Sequence, residues 1–474
     1  MSTADTTKPA LKLFNTMSRE VELFVPQSKG KVSLYTCGPT VYDYQQIGNY
    51  ATYIRWDVLA RLLAYLGYDL TWVMNITDVG HLVSDADEGE DKLEKGARRE
   101  GKSAWDVAEF YLADFLASME ALNISEPTYL VRATDHIKEQ IALVKRLEEK
   151  GFTYVIDDGV YFDTSKSKDY GRLARLDLKK LQAGARVELN PQKRHHTDFA
   201  LWKFSPKDAQ RDMEWESPWG TGFPGWHIEC SAMSMQYLGE TLDIHAGGID
   251  HLPVHHTNEI AQSEGATGKQ FVNYWLHGNF ITVDGTKLSK SLGNSYTLHD
   301  VKERGFEPLD FRMFVLQAHY RTQADFTWKS LKAARARRLR LQAIADLRFQ
   351  LNDEEHDLQA DFDRYQRAIV EALSLDLNSP RALSALSALE AQLEAGQRPS
   401  NEELVSFLEV IDTLLGLRLL ESENITDEQE RLIQEREEAR KRGDFKRADE
   451  IRVELGDARI VLQDTASGPI WSRT

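Results

Sequence analysis

Apolar and polar positions alternate from Lys31 to Cys37 (KVSLYTC), the period of a β-strand, and Gly38 and Pro39 end the run. Past the polar loop TVYDYQQ the period changes. Ile54, Val58, Leu62 and Leu66 recur four apart in IGNYATYIRWDVLARLLAYLGYD, which lays one apolar face along a helix closed by Gly67. Leu70 to Ile76 (LTWVMNI) follows as a second strand. Strand, glycine-bearing loop, helix and strand make a βαβ unit, which predicts a parallel sheet with helices on both faces.

Further along, Ala86 to Asn123 is charged and helical. Residues 126–200 are mixed, with short apolar strands such as YVIDDGVYF and a basic loop, NPQKRHH, and read as an insertion. The α/β pattern returns with DFALWKF and runs past LDIHAGGID. From about residue 329 to 420 long Leu- and Ala-periodic helices are broken at Asn378-Ser379-Pro380 and at Gly396-Gln397-Arg398-Pro399, the pattern of a helical bundle. A last unit opens on a capping box from Thr426 to Gln429, continues as the helix QERLIQEREEARKRGD and ends in strand-like IVLQD.

Composition narrows the class. The 474 residues hold 58 Lys plus Arg against 75 Asp plus Glu, a formal charge of −17. That excludes broad, nonspecific attraction to nucleic acid or anionic membrane while leaving room for a local basic face. No apolar run approaches the roughly 18 residues of a spanning helix. The opening MSTADTTKPALKLF lacks the basic and apolar regions of a signal peptide, so a cytoplasmic location is expected. The two cysteines, Cys37 and Cys230, are too few for a disulfide framework.

Three groups of residues can carry chemistry. Gln46-Ile47-Gly48-Asn49 stands at the entrance of the first helix, where free N–H groups and the positive dipole end suit a phosphate, although most strand-to-helix turns hold a Gly and bind nothing. Lys287 to Ser291 (KLSKS) carries two lysines three apart in a polar loop, either mobile charge for a triphosphate or a solvated basic loop. In HHTNE, His255 and Glu259 are spaced i,i+4 and share a helix face. With both cysteines they make an S, S, N, O set suited to Zn²⁺; equally, they could be a surface pair beside core cysteines.

The order of segments TCGPTVYDYQQIGN, NITD, GWHIECSAM, HAGGID, HHTNEIAQSE and KLSKSLGN resembles that of class I aminoacyl-tRNA synthetases. The chain is similar to the cysteinyl-tRNA synthetase family from about Leu11 to Thr474. The resemblance implies an α/β class: a Rossmann-like parallel sheet with an inserted connective domain, then an α-helical bundle and a small C-terminal α+β unit. Its parts would be a catalytic first half at 11–125, the insertion at 126–200 and the second half at 201–270. A KMSKS-loop and stem-contact region at 271–325, a tRNA-binding bundle at 326–422 and an anticodon-binding unit at 423–474 would follow.

Residue by residue, the resemblance implies one Zn²⁺ on Cys37, Cys230, His255 and Glu259, binding the thiolate of L-cysteine and rejecting serine without an editing domain. Gln46, Asn49, Lys287 and Lys290 would be catalytic. Gly48, Trp226, Gly247, Gly248, Asp250 and Lys290 would hold ATP with Mg²⁺, and Thr77 and His245 would lie near the cysteine. Arg440, Asp449 and Asp464 match positions that contact anticodon bases of tRNA(Cys), with Phe445 placed to stack. The basic helix Lys329 to Arg340 is the choice for the tRNA backbone, His195-His196 is assigned no role, and the family suggests a monomer. Two positions depart from the pattern. Thr257 replaces a common Glu at a non-ligand position, and Gln46 replaces the first histidine of HIGH or HIGN. Gln donates a hydrogen bond but carries no charge, so adenylation is expected to weaken by one to two orders of magnitude, about 1.4–2.8 kcal/mol. Two rivals are a paralogue that transfers cysteine to a small amine and a non-catalytic relative crippled at Gln46.

Overall fold

A computed structural model describes residues 9–80, 92–176, 190–206, 211–288, 293–350, 357–394, 397, 399–465 and 468–473; Lys290 lies outside them. A hairpin, β1 (Lys12–Asn15) and β2 (Glu20–Leu23), precedes the βαβ unit of β3 (Lys31–Thr36), α1 (Ile47–Tyr65) and β4 (Asp69–Ile76). Gly67, at φ +88°, makes the turn from helix to strand in a conformation that costs other residues strain. Next come α2 (Lys92–Glu100), α3 (Ala104–Ala121), β5 (Tyr129–Arg132) and α4 (Ile137–Glu149). After β6 (Thr153–Ile156), β7 (Gly159–Phe162), β8 (Phe199–Phe204) and β9 (Gly222–Pro224), the chain forms α5 (Trp226–Leu238), β10 (Leu242–Gly248), α6 (His255–Thr267) and β11 (Val272–Gly278).

The central sheet has the order β11-β10-β3-β4-β5, and every pair is parallel. From β3 the chain first builds outward to β4 and later returns to the other side at β10. Such a switch point opens a crevice at the carboxyl ends of the strands. Cys37 follows the end of β3, and Gly248 ends β10, so this crevice places the residues discussed below.

Three expected boundaries are corrected. β5, within the stretch 126–200 read as insertion, is a strand of the central sheet paired with β4. β8, read as the return of the α/β pattern, is the third strand of an inserted antiparallel sheet, β6-β7-β8-β9, which reaches Pro224. β11 is also central, so the sheet continues past residue 270 to Gly278. Burial is the reason. β8 and β10 are both almost wholly buried, so neither alternates, and periodicity cannot tell an inserted antiparallel strand from a parallel core strand.

A three-stranded sheet of β12 (Ile281–Val283), β13 (Thr286–Lys287) and β14 (Ala324–Phe326) follows, with α7 (Leu298–Glu303) and α8 (Pro308–Leu316) in between. The bundle comprises α9 (Trp328–Asp346), α10 (Gln359–Ser374), α11 (Ser379–Glu394) and α12 (Asn401–Leu415). α1 is buried well beyond its one expected face, because α8 and α12 pack on it as well as the sheet. Ile54, Trp56, Leu59, Leu62 and Leu63 are all sealed from solvent, each contributing about 1.5–3 kcal/mol. At this junction the fully buried Arg312 of α8 pairs with the equally buried Asp57 of α1. It also donates to the carbonyls of Leu415 (2.7 Å), Leu122 (3.0 Å) and Asn123 (3.0 Å), so the ends of α3 and α12 converge on one guanidinium.

The C-terminal unit consists of α13 (Asp427–Lys441), α14 (Phe445–Asp457) and the hairpin β15 (Ile460–Thr465) and β16 (Gly468–Arg473). The expected Thr426–Gln429 capping box is present. Buried Asp346, at the end of α9, accepts from Ser422 (2.6 Å) and Arg473 (3.0 Å). Gln350 and Trp471 exchange two further hydrogen bonds, at 2.7 and 3.1 Å, so the unit is held onto α9. Among the described residues no helix is long and apolar enough to cross a membrane.

Candidate active site

The floor of the crevice is set by a close approach of backbone to β4. Gly38 N–H donates to Asn75 Oδ1 (2.9 Å), and a Cβ on Gly38 would lie 1.8 Å from the Asn75 carbonyl oxygen, so only glycine lets Cys37 sit here. Cys230 comes from the first turns of α5, and His255 and Glu259 from one face at the start of α6. All four are buried, and their ligand atoms lie within 4.8 Å of one another. Two thiols, an imidazole and a carboxylate form a donor set suited to Zn²⁺. Glu259 Oε1 lies 3.0 Å from His255 Nε2 yet lacks an aligned hydrogen bond, as befits two atoms facing a common ion.

A second quartet, Cys37, His245, His256 and Glu259, also converges within 4.8 Å. Access separates the two. Cys37, Cys230 and His255 line the cleft, whereas His245 and His256 are fully buried and do not, so the first set is the one a ligand can reach.

Electrostatics keep the first set asymmetric. Burial pushes the Cys37 thiol well up, while a hydrogen bond from it brings Cys230 down to about 6. Burial opposes charge on His255, but Glu259 and Cys230 carry it up to about 10. Burial opposes the Glu259 anion as well, yet His245 and His255 lower it to about 2. Behind Cys37 runs a buried chain. His256 Nε2 is 3.2 Å from Cys37 Sγ, His256 Nδ1 is 2.8 Å from His277 Nε2, and His277 Nδ1 is 2.8 Å from Thr16 Oγ1. Burial holds both rings well below the ordinary imidazole range and hence neutral. Neutral rings suit both states: while Cys37 gives its one proton to Cys230, and equally when it is a thiolate, its sulfur accepts an N–H from His256.

Above this floor the cleft has a volume of about 380 Å³. Its walls bring together Thr77, Trp226, Asp250, Gln46, Gly48, Asn49 and Lys287. Thr77 donates to buried Glu229 (2.9 Å) and accepts from Asn75 (3.1 Å), which fixes its hydroxyl. The Trp226 ring lies 4.4 Å from that of His255. Leu288 rests on Gly48, 3.6 Å from where a Cβ would stand, and Lys287 Nζ sits 5.1 Å from the centre of the Phe280 ring. At the α1 entrance, Gln46 N–H donates to Asn49 Oδ1 (3.1 Å) and Ile47 N–H to the Tyr296 carbonyl (2.9 Å). One N–H expected to await a phosphate is therefore already used, by the chain that follows KLSKS.

Two expected residues are not in the wall. His245 stands behind the cluster, donating from Nε2 to the Glu259 carboxylate at Oε2 (2.8 Å) and stacked 4.7 Å from Trp275. Gly247 packs against histidine: a Cβ there would meet the His256 ring at 2.7 Å. In the C-terminal unit Phe445 and Asp449 are exposed, and Arg440 and Asp464 form an ion pair at 2.7 Å. The basic helix is partly spent on its own neighbours: Arg335 donates to Gly305 O, Arg337 to Leu383 O, and Arg338 pairs with Asp310. Lys329, Lys332 and Arg340 remain exposed. Sequence reasoning missed Glu229, His256, His277 and Thr16. Glu229 adjoins Cys230 and His256 adjoins His255, but nothing in their spacing marked them.

The architecture is that of the class I aminoacyl-tRNA synthetases. It resembles a Mycobacterium tuberculosis methionyl-tRNA synthetase complexed with methionyl-adenylate (TM-score 0.55, 15% identity, 82% of this chain and 88% of that one). It also resembles an Agrobacterium radiobacter LeuRS–tRNA–LeuAMS complex (TM-score 0.57, 13% identity, 83% and 84%). Residues 23–336 match the family described as "tRNA synthetases class I (C) catalytic domain", and residues 422–471 match "Cysteinyl-tRNA ligase anticodon binding domain". The cysteine–tRNA ligase of Treponema denticola is 44% identical over 494 residues, covering 98% of this chain and all of the relative. Cysteine–tRNA ligase 1 of Burkholderia lata is 49% identical over 463 residues, 97% and 96% of the two chains. The chain belongs to the cysteine–tRNA ligase family, whose members charge tRNA with cysteine.

Proposed function

We propose that the cleft joins L-cysteine and ATP into cysteinyl-adenylate and pyrophosphate, then passes the cysteinyl group to the 3′ end of tRNA(Cys). The observation that carries this reading is the buried Cys37, Cys230, His255 and Glu259 cluster, open to a cleft at the switch point of the sheet. Held by these four, Zn²⁺ supplies a thiolate-selective contact that cysteine satisfies and serine does not. The side chains do the rest by positioning and charge. Thr77, fixed by Glu229 and Asn75, stands above the floor to orient the bound amino acid, and His245 steadies Glu259 from behind. Gly48 leaves room for the nucleotide beside Trp226 and Asp250, while Gly247 keeps β10 against the histidines. Lys287 and Lys290 bring positive charge to the α-phosphate as the carboxylate attacks and pyrophosphate leaves. Gln46 and Asn49 donate from the α1 entrance, and Mg²⁺ enters with ATP.

The bundle and C-terminal unit serve tRNA, with Arg440, Asp449 and Asp464 at the bases, Phe445 stacking, and Lys329, Lys332 and Arg340 on the backbone. The same reading has the enzyme act as a cytoplasmic monomer. Cysteine-dependent ATP–pyrophosphate exchange on zinc-loaded protein, with serine as control, tests it. Exchange with cysteine alone supports the proposal; folded, zinc-containing protein without exchange overturns it.

A further inference from the structure

The expected base contacts in the C-terminal unit are not independent, because Asp464 is gripped from below by a residue that has no part in the readout itself. Arg436 lies on α13 with its side chain 5% exposed, and its fork meets both carboxylate oxygens: Nη1 to Oδ1 at 2.9 Å and Nη2 to Oδ2 at 3.0 Å. Arg440, one turn further along α13, brings Nη1 within 2.7 Å of Oδ1 as an ion pair but is 38% exposed and donates to Glu437 at 3.4 Å. Asp464 is 42% exposed, so one side of its carboxylate faces solvent.

Counting lone pairs shows what each arginine does. A carboxylate has about four acceptor positions. The fork of Arg436 takes one on each oxygen, and the Arg440 guanidinium, 2.7 Å from Oδ1, crowds the outer position there while the outer position on Oδ2 stands clear. A nucleobase offering two adjacent N–H donors needs an outer position on both oxygens, so the ion pair with Arg440 has to yield and the fork of Arg436 does not. The exposed arginine is the one free to move. Burying a guanidinium is costly, and a hydrophobic residue in its place would often be no less stable, so the fork points to orientation rather than to stability. Arg436 also lowers the proton affinity of Asp464 more than any other neighbour does, which keeps it an acceptor.

We infer that Arg436 is a positioning residue for anticodon reading: it holds the Asp464 carboxylate in one orientation, and Arg440 acts as a latch that the arriving base displaces. The inference rests on the reading of Asp464 as a base contact. It is tested with the full chain and tRNA(Cys) transcripts, unmodified and substituted at each anticodon base in turn, for the variants Arg436→Lys, Asp464→Asn and their combination. Arg436→Lys keeps the charge but loses the fork. It is expected to lower kcat/KM for unmodified tRNA by about 5- to 150-fold, the range of one bidentate base contact. The penalty for substituting one anticodon base should shrink, while the other two stay as they were. Asp464→Asn should flatten the same position, and the double variant should lose nothing more. An equal loss at all three positions, or an added loss in the double variant, makes Arg436 merely structural and overturns the inference. An unchanged profile for Arg436→Lys beside a flattened one for Asp464→Asn overturns it while sparing the reading of Asp464. An unchanged profile for Asp464→Asn overturns both.

Discussion

Loading the Cys37, Cys230, His255 and Glu259 cluster with Zn²⁺ should release two protons at pH 7.5. In the metal-free state burial keeps Cys37 a thiol, His255 holds its proton up to about 10, and Cys230, at about 6, and Glu259, at about 2, are already anions. Zinc ligation requires two thiolates, a neutral imidazole and a carboxylate, so one proton leaves Cys37 and one leaves His255. Apparent affinity should therefore climb about 100-fold for each pH unit between about 7 and 9, or about 2.8 kcal/mol per unit. Two protons exchanged for one divalent ion leave the net charge of the buried cluster at minus one before and after. A buried cluster can then fill without burying additional net charge. Calorimetric titration of chelator-stripped protein, in two buffers of different ionisation enthalpy, counts the protons directly. Cys37→Ser should reduce the count to one. A count near zero, or an affinity flat from pH 7 to 9, would refute the reasoning.

Gln46→His restores a chargeable donor at the α1 entrance and should raise the rate of ATP–pyrophosphate exchange about 10- to 100-fold; no gain means Gln46 limits nothing. Arg312→Met leaves buried Asp57 with Arg61 and the Ser125 N–H only, and strips three carbonyls of a donor. Urea unfolding should record a loss of about 3–5 kcal/mol, and a loss below about 1 kcal/mol contradicts it. Gly416→Ala places a Cβ 2.5 Å from Arg312 Nη2 at φ +63°, which should cost at least about 1–2 kcal/mol by the same measurement. In the Arg312→Met background that clash is gone, so additive losses would rule out the contact as its cause.

The βαβ unit was legible because its strand and helix periods differ and glycine marks the turn between α1 and β4. The convergence of Cys37, Cys230, His255 and Glu259 was legible through residue identity within ordered segments, since spacing alone left a surface pair equally open. Burial limited the rest. β8 and β10 lose their alternation when both faces are covered, which hid the inserted sheet, and α1 is covered on more than its periodic face by helices distant in sequence. The chain from Thr16 through His277 and His256 to Cys37 spans 261 positions at its longest hydrogen bond, beyond the reach of any local pattern. Arg436 sits in a run of charged residues where its neighbours look alike, and only the return of β15 singles it out.

The helix α9 has a mechanical consequence. Its first residue, Trp328, packs against Tyr296, whose carbonyl holds the entrance of α1. Its last, Asp346, grips the C-terminal unit. Nineteen residues of uninterrupted helix make a strut about 28 Å long. The rim of the cleft and the C-terminal unit are thereby held a fixed span apart, like the jaws of a gauge. On the function proposed above, an RNA bearing the right bases at the wrong separation would not engage both ends at once, so the strut would add a requirement of length to that of sequence.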